Sequence, residues 1–171
     1  MQKEVTSHVI KGLIVALILM VFDVVSYIMG FKMESWAGFL WMGMLLIAVI
    51  WGTVNYGNQM NHNVTFGKLF MHGFKMSAVI ACIWFVYTVL AVYLIFPEML
   101  DEMWEKAMEE ARKNPNYDQA QMQQGMEIGR KIMKVTVLAG AVLGPLIIGC
   151  IAALIGAAAG KKRPVGEFEN V

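Results

Sequence analysis

The chain has 171 residues, of which 58% are apolar and 16% charged, with a mean hydropathy of +0.56 and a net charge of +1. Soluble domains carry about 25% charge and 45–50% apolar residues, so a soluble enzyme domain, a nucleic-acid binder and a disordered tail are excluded. The near-even charge balance leaves no global field to attract nucleic acid or acidic substrates.

Charge is missing from long stretches. Asp23 is the one acid or base between Gly12 and Phe31, and none occurs between Trp36 and Asn61, Met76 and Pro97, or Val135 and Gly160. A hydrocarbon core of about 30 Å takes roughly 20 apolar helical residues to cross. The pattern therefore predicts an all-α, four-transmembrane-helix bundle forming one integral membrane domain over 1–171, with spans at 12–29, 36–55, 76–96 and 135–159. Lys3 and Lys11 before the first apolar stretch resemble the start of a signal peptide. That stretch runs past Phe22 to Met29 without a small-residue cleavage site, so it reads as a retained helix.

Span 1 ends at the short turn Gly30–Ser35, and Trp36 is placed as an interfacial aromatic anchor for span 2. Tyr56 to Gly67 is polar and rich in Asn and Gly, a loop, with Thr65 or Asn63 available as an N-cap. Phe66 to Lys75 is an amphipathic lead into span 3, which leaves the membrane near Pro97.

Residues 97–134 then read as an extramembrane helical hairpin. Met99, Met103, Trp104 and Met108 recur at helical spacing on its first arm, opposite a face of acids from Glu98 to Glu110. Asn114–Asn116 breaks that arm and Asp118 can cap the second, whose weaker stripe (Ala120, Met122, Met126, Gly129, Met133) runs into span 4. The tail Lys161–Val171 is charged and reads as loose. Four spans put both termini on one side. Lys and Arg divide evenly between the two sides, but the terminal-side charges crowd the membrane edge, which favours cytoplasmic termini.

Asp23 lies near mid-membrane and is the intramembrane polar candidate, either a proton or cation site or a satisfied carboxyl bonded to Ser26, Tyr27 or a neighbouring helix. Lys68, Lys75 and His72 are candidates to bind lipid phosphate at the inner rim. His8, His62 and His72 lack metal-ligand spacing, so they read as solvated interfacial histidines, with no metal and no cofactor expected. Cys82 and Cys150 fall in apolar runs and read as small hydrophobes. Met99, Met103, Trp104 and Met108 are candidates for binding a partner, or else pack on the sister arm or lie on the membrane surface. Gly140, Gly144, Gly149, Ala153 and Gly156 recur at small-residue spacing and are expected to pack span 4 closely on its neighbours. No catalytic motif is present, and the chain reads as a non-enzyme.

The runs Thr65-Phe66-Gly67-Lys68 and Gly73-Phe74-Lys75, the close of span 3 at Ile95-Phe96-Pro97, and the run Ile147–Ile155 followed by Lys161-Lys162 carry a resemblance. The chain resembles the four-helix integral-membrane family of Bacteroidota called domain of unknown function 4199. The resemblance implies a bacterial inner-membrane protein without an established activity, whose relatives are often encoded beside a polyprenyl-phosphate-type family-2 glycosyltransferase. No catalytic residue carries over, and no long charged tail offers itself to a soluble partner.

Two functions follow as expectations. The first is a non-catalytic membrane subunit or scaffold that binds such a glycosyltransferase through the hairpin stripe. The second is a small proton-coupled transporter or channel built on Asp23, with a homodimer as its natural assembly.

Overall fold

The computed structural model describes residues 5–31, 35–113 and 119–160, with side chains for all of these except 35 and 119–127. Every element is helical: α1 (His8–Ile28), α2 (Ser35–Gln59), α3 (Phe66–Leu90), α4 (Met99–Arg112) and α5 (Gln119–Ala159). Four segments are long and apolar enough to cross a membrane: His8–Ile28, Trp36–Gln59, Phe66–Ile95 and Ile128–Ala159. Phe39, Ile47, Val86 and Ile147 are more than half exposed along them. Such a surface implies contact with a lipid bilayer, and the chain is a multi-pass, membrane-type helical bundle.

Helix starts follow local hydrogen-bond chemistry. The Ser7 hydroxyl accepts from the N–H groups of Val9 and Ile10, which fixes the start of α1 at His8 and leaves Lys11 within its first turn. The Thr65 hydroxyl accepts from the Lys68 N–H, so Phe66 to Lys75 is the opening of α3 itself and not a separate lead. Where α3 ends, Ala91–Ile95 widens into a π-helical segment closed by the Phe96 N–H donating to the Ala91 carbonyl at 2.7 Å. Pro97 lies in the turn that follows, and α4 begins at Met99.

The second arm of the hairpin and span 4 are one unbroken helix, α5, which continues through Pro145. The break at Asn114–Asn116, the cap at Asp118 and the tail from Lys161 lie outside the described residues, as do the side chains of Ala120, Met122 and Met126.

α3 is the central helix and packs on α1, α2 and α5, while α2 also packs on α1 and α5. Lipid removes the hydrophobic drive between helices, so close contact must supply the adhesion. A Cβ on Gly73 of α3 would collide with Thr53 and Ala153, and one on Gly149 of α5 with Ser77. The hydroxyls at these contacts are satisfied within their own helices: Thr53 donates to the Val49 carbonyl at 2.8 Å and Ser77 to the Gly73 carbonyl at 3.0 Å. Leu19, Leu45, Val49, Met76 and Ile80 fill the centre as an apolar plug, each 0–1% exposed.

Candidate functional site

Asp23 stands on the half of α1 beyond that plug. Its carboxylate accepts a hydrogen bond from the Tyr87 hydroxyl of α3, Oη to Oδ2 at 2.7 Å. The partner comes from a neighbouring helix, while the Ser26 hydroxyl donates to the Phe22 carbonyl and the Tyr27 ring lies on Phe96 at 4.1 Å.

The pair opens on a cavity of about 290 Å³ between α1, α2, α3 and α5. Its aromatic wall is continuous: Trp41 and Trp84 have ring centroids 4.9 Å apart, and Trp84 and Tyr87 5.2 Å. The Trp41 indole N–H is buried and has no hydrogen-bond partner among the described residues. Met99 and Met103 of α4 also line the cavity.

Gly140 and Gly144 form the α5 side of this cavity, and an added Cβ would meet nothing within 4 Å at either. This corrects the expectation that they pack span 4 closely: their faces look into open space. Gly149, Ala153 and Gly156 lie differently. Ala153 is fully buried, and a Cβ on Gly156 would approach Thr53 Cβ to 2.8 Å.

The hairpin stripe is partly used inside the chain. Met99 is 4% exposed and packs with Val92 and Leu100, against Tyr27, Phe96, Met103 and Val137. Trp104 seats on α5, where a Cβ on Gly129 would reach its ring at 2.6 Å. An exposed ion pair between Asp101 and Arg130 lies beside it. Met99 is therefore corrected as a partner-binding residue, since nothing of it is offered to a partner; Met103 and Met108 are half-buried.

A second polar group occupies the other end of the bundle. His72 is 8% exposed, stacks on Tyr56 at 4.0 Å and meets the edge of His8 at 5.8 Å. Lys11, 4% exposed, donates from Nζ to the Gly52 carbonyl at 3.2 Å. The solvated interfacial reading is thus corrected for His72, because α1 and α2 cover it. Lys68 and Lys75 are exposed on the same helix. Cys82 is exposed and Cys150 half-buried, both free thiols. Among the described residues no three His, Cys, Asp or Glu side chains are grouped to hold a metal ion.

Several of these residues escaped the sequence reading. Tyr87, Trp41 and Trp84 carried one usable signal, since polar-tipped aromatics usually gather at membrane interfaces and these fall inside spans. Lys11 stands just before the apolar run, where the sequence gives no sign of its burial.

No curated protein and no solved structure matches this chain. The sequence profile of one family matches residues 11–162, almost the whole chain, from the first turn of α1 through the end of α5. The chain belongs to the family described as Protein of unknown function (DUF4199).

Proposed function

We propose that the chain is a non-catalytic membrane protein that binds a small organic cation in the cavity beside Asp23. The observation that carries this reading is a carboxylate facing a 290 Å³ space walled by indole and phenol rings. An acid inside a membrane span costs up to about 2.5–3.5 kcal/mol to insert, the figure for the helix centre, and is a functional site by default. A cationic ligand offsets that cost, and the faces of Trp and Tyr rings attract the same charge. The Trp41 N–H supplies a donor for an acceptor atom on the ligand. Pockets for drug-sized ligands span about 300–1,000 Å³, so the ligand belongs at or below the small end of that range.

This reading takes Asp23 from the transporter alternative but requires binding only. It is preferred to the enzyme-subunit reading because Met99 is buried and Trp104 seats on α5, which leaves less of the stripe for a glycosyltransferase. Residence in a bacterial inner membrane with cytoplasmic termini completes the proposal.

The test is calorimetric titration of the purified full-length protein in detergent with benzyltrimethylammonium, which joins a ring to a fixed charge. Saturable binding is expected in the unaltered protein. Asp23→Asn keeps the side chain's size and is expected to weaken binding about tenfold or more, roughly 1.4 kcal/mol. An Asn variant that binds equally well, or an unaltered protein that shows no saturable binding, rejects the reading.

A further inference from the structure

Among the described residues, the end of the bundle away from α4 holds Lys11, Lys68 and Lys75 and no acid. Lys11 is 4% exposed, and among the described residues the Gly52 carbonyl is the one hydrogen-bond partner of its ammonium. An ammonium has three protons to donate, so this contact leaves it under-coordinated. Beside it, His72 is held by the Tyr56 stack with its Nε2 buried and without a hydrogen-bond partner among the described residues. His8 covers the edge of that ring from the exposed start of α1.

Among the described residues, the nearby charges have the same sign. Lys68 and Lys75 stand four residues before and three after His72 on α3, which puts all three along one side of the helix. Among the residues whose side chains are described, the carboxylates are Asp23 and those from Glu98 to Glu110. Asp23 lies twelve residues farther along α1, about 18 Å at helical rise, and the apolar plug intervenes. A buried charge is kept where something compensates it, and among the described groups no anion is placed to do so.

We infer that His8, Lys11 and His72, with Lys68 and Lys75 at the rim, form a binding site for a phosphate-bearing anion. The same chemistry is carried by an anionic lipid headgroup and by free phosphate. The site is independent of the Asp23 cavity, on the opposite side of the plug, so either proposal can fail alone.

The test measures the melting temperature of the full-length protein in neutral detergent after adding phosphatidylglycerol, phosphatidylcholine or inorganic phosphate. A ligand well above its dissociation constant raises the melting temperature of a chain this size by something on the order of 5 °C. That gain with phosphatidylglycerol but not phosphatidylcholine or phosphate identifies a lipid headgroup. The same gain with inorganic phosphate identifies a free anion.

Lys11→Met is expected to abolish the gain without lowering the basal melting temperature, because it removes a buried uncompensated charge. A lysine serving only to bond Gly52 would do the reverse, lowering the basal value and keeping the gain. His72→Phe preserves a ring on Tyr56 while deleting Nε2, is expected to halve the gain at least, and stands in if Lys11→Met does not fold. No gain from either anion, or a full gain retained in the variants, overturns the inference.

Discussion

Gly140 and Gly144 share a helix and a four-residue spacing with Gly149 and Ala153, yet the first pair faces empty space and the second is pressed against α3. The helix wheel explains the difference. Gly149 follows Gly140 by nine residues, which at 3.6 residues per turn is about two and a half turns, so the two sets look in opposite directions. One set lets helices approach; the other leaves room that no neighbour fills. A small residue permits both outcomes, and what stands opposite decides which one occurs.

The comparison can be broken by adding side chains to the two sets. Gly149→Leu drives its new atoms into Ser77, which is fully buried on the central helix. Overpacking at such a site costs about 1–3 kcal/mol and occasionally more, and this variant is expected at or above the top of that range. Unfolding in a denaturing-detergent titration reads the loss; an unchanged midpoint would mean that α3 and α5 do not meet there.

Tyr87→Phe comes next. It keeps the ring against Trp84 but removes the donor to Asp23, leaving a carboxyl short of a partner. The expected loss is about 1–3 kcal/mol in the same titration. A smaller change would show that Asp23 is held by its other contacts and that the cavity wall owes little to this bond.

Gly144→Ala is the smallest effect and has the opposite sign. Its Cβ meets nothing, so the gain in helix propensity acts unopposed, about 0.5–1 kcal/mol of stabilisation. Destabilisation by this variant would place a neighbour against Gly144 and erase the contrast between the two halves of α5.

The spans were legible because uncharged runs of membrane length leave few alternatives, and Asp23 stood out as the one charge within its run. Its partner was not legible. Tyr87 lies 64 residues away, and nothing local to either residue specifies which helix faces which. The burial of Lys11 depended on a cap: once Ser7 starts the helix, Lys11 is one turn inside and under Gly52 of α2. The stripe Met99–Met108 had the right period but an ambiguous destination, because an apolar face gives the same signal whether it meets a sister helix or a foreign protein. The opposed facing of the glycines in α5 was present in the sequence as a nine-residue offset, visible only when the two sets are compared with each other.

The widened turn at Ala91–Ile95 closes over five residues where an α-turn closes over four. One surplus residue advances the helical phase by about 100°, so everything beyond Phe96 leaves the bundle on a bearing that an ordinary helix would not give. Met99 and Met103 reach the cavity on that bearing. The seating of α4 is thus governed by the number of residues in the preceding turn as much as by their chemistry. A single deletion there would swing the hairpin off its seat even with every remaining side chain unchanged.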